Sequence, residues 1–320
     1  MSEKIFKKDV RDAFFDRIYE LACEDKDLIF ITADAGAFSL KRFQKDFPER
    51  FINVGVAEQA MVLLATGLAM SGKNVFIYSI IPFITQRALE HIKVNICSMN
   101  LPVTIIGCGA GLSFGFDGPT HHGNQDIAAI NSLPNIKIFS PCDAMSSMLA
   151  ATESYKSEIP SYVRLDKGYF PEIYKEKNSL KEGYLVLKKA KDYCIVTTGY
   201  MTSKAIEVAN ILDKKFNHDI GIIDVTRIKP INENIQQHIK GYKNLYILEE
   251  HSRVGGLTSL MTDFVADKKI KINIDSFSLP DKQIFDYGQR DWIHKANNID
   301  VANIVSVINS NIKLNNSDLQ

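Results

Sequence analysis

The sequence predicts an α/β protein of two domains, each a mostly parallel sheet flanked by helices. Three observations carry that prediction. The chain has 320 residues, about twice the roughly 150 that one hydrophobic core commonly organises. Continuous Ile/Val-rich runs alternate with segments of helical period, the pattern of parallel strands buried on both faces. A polar, lysine-rich stretch at 174–182 (YKEKNSLKE) interrupts the series, and the alternation restarts beyond it. The boundaries expected are a first domain over 1–172, a linker over 173–190 and a second domain over 191–320.

Each element follows from local pattern. Val10, Phe14, Ile18 and Leu21 recur at helical spacing over 9–23, and 27–32 (DLIFIT) reads as a buried strand. A strand over 51–54 leads into a long helix over about 57–70, apolar all round and therefore expected to be buried. A strand over 75–78, a helix over about 85–98 and a strand over 103–107 continue the alternation. The strand 136–139, the helix 144–155 and the strand 161–165 complete the first series. In the second, a strand over 194–198 precedes a helix to about 214, a strand over 220–225, a helix from about 233 and a strand over 245–249. Residues 309–320, rich in Asn, Asp and Ser, are expected to fray.

Composition narrows the function. Lys plus Arg and Asp plus Glu balance at 38 each, so the net field that draws a protein to nucleic acid or an anionic membrane is missing. Neither partner is expected. The five cysteines are scattered, outside any metal-ligand spacing, which suits a reducing cytosol. The start of the sequence lacks the apolar centre of a signal peptide, and no run approaches the roughly 20 apolar residues that cross a bilayer. A cytoplasmic location is expected.

Two segments stand out for chemistry. In NVGVAEQ (53–59) Glu58 opens the apolar helix. A first-turn carboxylate compensates the helix dipole; if the helix is buried, the same carboxylate lies in a low-dielectric cleft and is a candidate acid/base. Both readings stay open on spacing alone. In GFDGPTHHG (115–123) three glycines and a proline hold Asp117 and His121 four residues apart at the presumed sheet edge, where open α/β sheets bind ligands. The alternative is a loop whose histidine caps a helix, and the adjacent His121 and His122 lack further ligands at metal spacing. GCGAG (107–111) departs from the dinucleotide fingerprint by one residue, and neither a phosphate loop of the GxxxxGK[ST] type nor a GxSxG elbow occurs. Arg164, at a strand end beside Asp166-Lys167-Gly168, suits a phosphate or a carboxylate, or equally an ion pair. In EEHSRVGGL (249–257) the glycine pair reads as close helix packing.

Taken together, seven blocks resemble the C-terminal half of the transketolase family of thiamine diphosphate enzymes: TADAG, FINVGVAEQAM, GLAMSGKNVF, FDGPTHHGNQDIAAINSLPNIKIFSPCD, YVRLDKG, VTTGYMTSKAIEVA and ILEEHSRVGGL. They stand in family order between about Arg11 and Gly288. The resemblance implies a pyrimidine-binding domain followed by a transketolase C-terminal domain. It implies that Glu58 bonds N1′ of the cofactor's aminopyrimidine, favouring the imino tautomer whose nitrogen removes the thiazolium C2 proton. It places Phe83, Ile80 and Asp34 on the cofactor side, with Ile80 standing where the family carries a second aromatic. Asp117 and His121 would hold hydroxyls of the donor sugar, His121 also serving catalysis, and Arg164 and Arg11 would bind substrate phosphate.

The family holds the diphosphate and Mg²⁺ through a GDG motif with a downstream Asn, which does not occur here. The resemblance therefore implies a separate N-terminal subunit carrying GDG and Asn, a dimer of heterodimers, and no metal ligand from this chain. The reaction implied is transfer of a two-carbon ketol unit from a ketose phosphate to an aldose, free or nucleotide-activated. Two relatives in mechanism stay open: the β subunit of a 2-oxoacid dehydrogenase E1 component, against which the sugar-binding DGPTHH loop argues, and a deoxyxylulose phosphate synthase. A catalytically silent regulatory subunit is the alternative of another class, disfavoured by the presence of Glu58, Asp117 and His121.

Overall fold

The computed structural model describes residues 8–176 and 178–317. In chain order its strands are β1 (Leu28–Thr32), β2 (Phe51–Asn53), β3 (Asn74–Ile80), β4 (Thr104–Cys108), β5 (Lys137–Phe139), β6 (Ser161–Leu165), β7 (Leu185–Lys188), β8 (Tyr193–Thr197), β9 (Gly221–Asp224), β10 (Arg227–Lys229), β11 (Asn244–Ser252) and β12 (Asn273–Leu279). They form two sheets, ordered β10-β5-β6-β4-β3-β1-β2 and β12-β11-β8-β9-β7. Neighbours are parallel except at one edge of each sheet, where β10 runs against β5 and β7 against β9. The two-sheet α/β architecture is thus the expected one.

Alternation along the strands feeds two half-cores. Phe30, Phe76 and Tyr78 face Phe14, Phe15 and Ile18 of the helix Val10–Glu24. Their neighbours Ile31, Ile77 and Ile105 face Met61, Val62 and Ala65 of the helix Glu58–Met70. The second sheet is covered likewise, on one face by the helices Met201–Phe216 and Val301–Ser317 and on the other by Leu257–Asp267. In the first sheet the chain passes from β1 outward to β2 and then back across to β3, so the order reverses at β1. A crevice outside the carboxyl ends of β1 and β3 is the consequence.

Several details differ from expectation. The segment expected as an exposed linker is built in: Tyr174 and Leu180 are buried, and β7 lies within the segment. Asp143 accepts the backbone N–H groups of Ile173 and Tyr174 at 2.7 and 2.6 Å, and the Tyr174 hydroxyl donates to Asp224 at 2.8 Å, so polar groups buried on both sides are satisfied. β10, from the second half of the chain, joins the first sheet. The single helix expected over 85–98 is instead two π-type turns, Phe83–Arg87 and Ile92–Cys97, around the short helix Leu89–His91. The helix expected from about 233 is only the short Glu233–Ile235 and Gln236–Ile239. Fraying from 309 is not seen, because Ile308 and Ile312 of the helix Val301–Ser317 are buried; 318–320 lie outside the described residues.

The glycine pair after β11 is structural, as its spacing suggested. Glu249 accepts the Leu257 and Thr258 N–H groups at 2.6 and 3.0 Å, capping the helix Leu257–Asp267. A Cβ at Gly256 would lie 2.2 Å from Glu249 Oε2. The neighbouring Glu250 joins the two sheets. Arg290 donates to Glu250 Oε1 at 2.8 Å and to Asp166, just beyond β6, at 3.0 and 2.6 Å. Glu250 also pairs with His294 and accepts the Leu112 N–H at 3.0 Å.

Burial alone would raise the Glu250 pKa, but Arg290 and His294 outweigh it and hold the carboxyl below its usual range. Its contribution to stability is therefore present above the ordinary carboxylate range of about 4 and is lost as pH falls below it. Arg290→Met leaves buried Asp166 without its cation and Glu250 with His294 alone, and is expected to cost about 3–5 kcal/mol in urea unfolding at neutral pH, with a flatter decline in acid. A cost below about 1 kcal/mol would show that the sheets hold together without this network.

Candidate active site

The crevice is lined from three directions. Beyond β1 the chain turns at Asp34, whose φ of 55° is left-handed. Beyond β2 it turns at Gly55, with φ of 70°. Asn53 ties the two turns together, its Oδ1 accepting the N–H groups of Asp34 and Gly55 at 3.0 Å each while its Nδ2 donates to Asp34 Oδ1 at 3.3 Å. That brace aims the start of the helix Glu58–Met70 into the crevice. Ala57 offers no capping side chain, and the Glu58 carboxylate in the first turn gains from the helix dipole. The same side chain is 1% exposed. Arg87 Nη1 donates to its Oε2 at 2.7 Å and the Ser79 hydroxyl to its Oε1 at 3.3 Å. The first-turn position and the burial on which the two readings of Glu58 rest thus occur together.

The third wall follows β3, where Ile80 is half-buried and the turn Phe83–Arg87 begins after Pro82. The Phe83 ring meets the His121 ring edge-on, centroids 5.2 Å apart. His121 shares a hydrogen bond with the Thr120 hydroxyl at 2.9 Å and lies 6.1 Å from Phe114. Lys167 Nζ stands 5.6 Å over the other side of that chain of rings, at Phe114. Glu58, Phe83 and His121, predicted from three distant segments, thus form one row. Asp117 lies on the exposed rim of the same loop. Arg11 lies toward the Asp34 side, its Nη1 3.5 Å from the Gly36 carbonyl and its buried Nε without a hydrogen-bond partner among the described residues.

The His121 loop is held rigidly. Gly111 and Gly123 exchange backbone hydrogen bonds at 2.8 and 2.9 Å, and the Gly288 N–H donates to the Gly115 carbonyl at 3.1 Å. Gly118, with φ of 74°, lies so close to Tyr287 that a Cβ would fall 2.4 Å from its ring. His122 is buried beneath, with both ring nitrogens unpartnered among the described residues, and burial pushes its pKa below the ordinary value.

Two expectations are corrected. Arg164 does not reach the crevice: its side chain is 4% exposed, and Nε and Nη2 grip Asp126 at 2.8 and 3.2 Å while Nη2 also donates to the Gly123 carbonyl at 2.9 Å. Nη1 is turned to the Ser140 hydroxyl at 3.4 Å and is buried with the rest of the side chain. His251 completes this cluster as a neutral ring, its Nε2 accepting the Ile127 N–H at 3.2 Å and its Nδ1 donating to the Ser252 carbonyl at 2.7 Å, with burial pushing its pKa down to about 4. The helix Glu58–Met70 is not buried all round either. Ala60, Leu63, Leu64, Gly67 and Met70 form an exposed apolar stripe along it, larger than scattered surface leucines would give.

Comparison with known proteins gives this geometry a family. The family model "Transketolase, pyrimidine binding domain" matches residues 6–172 and "Transketolase, C-terminal domain" matches 183–304. The chain belongs to the transketolase family. One subunit of the apulose-4-phosphate transketolase of Phocaeicola vulgatus is 32% identical over 282 residues, 86% of this chain and 88% of that protein. A solved structure described as a split gene transketolase, inactive beta4 tetramer, superposes with a TM-score of 0.84 at 29% identity, covering 94% of this chain and 97% of that one. 1-deoxy-D-xylulose-5-phosphate synthase of Clostridium perfringens is 29% identical over 95% of this chain, which spans 49% of the synthase.

Transketolase-family enzymes depend on thiamine diphosphate, and the crevice fits one end of it. Glu58 Oε1 has a single, long hydrogen bond and lone pairs to spare, and Phe83 and Ile80 offer an apolar wall. No group of three or more His, Cys, Asp or Glu among the described residues could hold a metal. Two contributors carried no signal that spacing alone could reveal: Arg87 on Glu58 and Asn53 between the turns. A basic residue inside the apolar run IIPFITQRALEHI was the one visible hint.

The correction at Arg164 can be checked. Arg164→Met leaves Asp126 buried and unpaired, and a loss of about 3–5 kcal/mol in stability is expected. Lys167→Met, at an exposed position, is expected to stay within about 0.5 kcal/mol. Comparable stability of the two variants in denaturant titrations would contradict the structural assignment of Arg164.

Proposed function

We propose that this chain is the C-terminal subunit of a split, thiamine diphosphate-dependent transketolase-like enzyme. Its reaction is transfer of a two-carbon ketol unit from a ketose phosphate to an aldose. The observation that carries the reading is the row of Glu58, Phe83 and His121, brought from three elements to the switch point of the sheet. Bound thiamine diphosphate supplies the nucleophilic carbon and the electron sink needed to break a carbon–carbon bond beside a ketone. The chain's own residues bind and orient. Glu58 bonds N1′ of the aminopyrimidine and so favours its imino tautomer, Phe83 and Ile80 wall the ring from water, and Asp34 with Asn53 keeps the crevice open. His121 and Asp117 hold donor hydroxyls, and His121 exchanges a proton at the hydroxyl next to the bond that breaks. Arg11 and Lys167 flank the mouth and take the substrate phosphate, the role that Arg164 is too buried to fill.

The diphosphate and Mg²⁺ fall to an N-terminal subunit carrying the GDG and Asn ligands. The stripe beside Glu58, continued by exposed Val94 and Met99, is the face we assign to subunit contact, giving a dimer of heterodimers. Similarity to proteins described as a transketolase subunit and as a split gene transketolase supports that division. No helix among the described residues is long and apolar enough to cross a membrane, and all five cysteines are free; a cytosolic place is in keeping with both.

A second reading, a synthase that decarboxylates pyruvate first, is favoured by the likeness to deoxyxylulose phosphate synthase over 95% of the chain. The donor decides between them. Purified alone with thiamine diphosphate and Mg²⁺, the chain is expected to give no ketol transfer, and addition of the N-terminal subunit is expected to restore it; full turnover by the chain alone overturns the split-enzyme reading. In the reconstituted enzyme Asp117→Ala and His121→Ala are each expected to lower kcat/KM for a ketose phosphate by about tenfold to a hundredfold. Preference for pyruvate with inert ketoses would award the site to the synthase.

A further inference from the structure

Arg87 touches the centre of the site, yet no role has been given to it. It ends the π-type turn Phe83–Arg87, in which one residue more than an α-helical turn is inserted. Such an insertion rotates the succeeding residues by about 100° about the helix axis. The rotated residue is then held at three points, two of them on its side chain. Its guanidinium lies 4.5 Å over the Phe83 ring, its carbonyl accepts the Gln59 side-chain amide at 3.2 Å, and its Nη1 holds Glu58 Oε2 at 2.7 Å. The Arg87 side chain is 44% exposed while that of Glu58 is 1% exposed, so the arginine reaches inward from the surface to a buried acid. The two oxygens of that acid are unequal. Oε2 is taken, whereas among the described residues Oε1 receives only the Ser79 hydroxyl at 3.3 Å, long for an O–H···O bond.

We propose that Arg87 is a positioning residue for Glu58: by clamping Oε2 and capping Phe83, it presents Oε1 to N1′ of the aminopyrimidine of thiamine diphosphate. The inference rests on the thiamine diphosphate reading of the site. Arg87 acts through Glu58 and touches no reacting atom. A planar guanidinium serves two partners at once, the ring beneath and the carboxylate beside, which a lysine ammonium cannot fully reproduce.

The test is calorimetric binding of thiamine diphosphate with Mg²⁺ to the complex of this chain with its N-terminal subunit. Wild type, Arg87→Met, Arg87→Lys, Glu58→Gln and the double variant Glu58→Gln/Arg87→Met are compared. Arg87→Met is expected to weaken binding by about tenfold or more, Arg87→Lys to lie between it and wild type, and Arg87→Met to add little once Glu58 is Gln. Equal affinity of wild type and Arg87→Met overturns the proposal, as does an equal loss in both Glu58 backgrounds. Tighter binding by Arg87→Met overturns it too, since Arg87 would then compete with the cofactor for its place. Thermal melts identify a variant that fails to fold, and Arg87→Lys, which keeps the charge, then decides. A wild-type complex that binds no thiamine diphosphate overturns the cofactor reading itself, a failure visible without any variant.

Discussion

Charge buried between the two sheets is the constraint on which the site depends. Arg290 binds Glu250 of β11 and Asp166 beyond β6, and Arg164 of β6 binds Asp126 and the Gly123 carbonyl. These two arginines fix opposite ends of one loop. Glu250 holds the Leu112 N–H, and Gly111 must be glycine there because a Cβ would fall 1.8 Å from Glu250 Oε2. Gly123, at the other end, is held by Arg164. Between them the loop can place His121 against Phe83 in only a narrow range of positions. Such networks often contribute little net stability, since desolvation offsets much of the attraction, but losing one partner is costly because the other stays buried. Their effect here is geometric: the second domain, which contributes no residue to the row of Glu58, Phe83 and His121, sets where that row ends.

Much of the fold was legible because parallel strands buried on both faces leave an unmistakable apolar run. The placement of the candidate site was legible where residue type and local backbone coincide, as in Glu58 after a glycine turn and His121 in a glycine-rich loop. Failures have physical causes. An all-apolar helix can be wrapped by its own core or shared with another chain, and composition cannot distinguish Met61, which is buried, from Leu63, which is half exposed. A strand-end arginine can point along the strand to a ligand or sideways to a neighbour, and Arg164 points sideways because Asp126 opens the adjacent helix Asp126–Asn131. β10 is only three residues long and pairs with a strand from the other half of the chain, beyond the reach of any local pattern. The π-type turn that aims Arg87 leaves no periodicity of its own.

On the proposed reading the site holds half of what ketol transfer requires. It has a buried carboxylate at Glu58 and a tightly held loop that carries Asp117 and His121. It has no group of three or more His, Cys, Asp or Glu among the described residues that could hold a metal, and it carries an apolar stripe immediately beside its buried glutamate. Those two features are complementary. A partner covering the stripe would sit within reach of the crevice and could bring the missing cation site, so that assembly and completion of the active site become the same event.

Hydrogen–deuterium exchange at C2 of thiamine diphosphate, measured by NMR in the complex with the N-terminal subunit, tests the central claim most directly. It reads the proton removal that Glu58 is held responsible for, before any substrate binds. Slow exchange in Glu58→Ala, at the rate of free cofactor, with the complex still assembled, is the result expected. Exchange at the wild-type rate in that variant would contradict the account, because the buried carboxylate would then serve only the helix whose first turn it occupies.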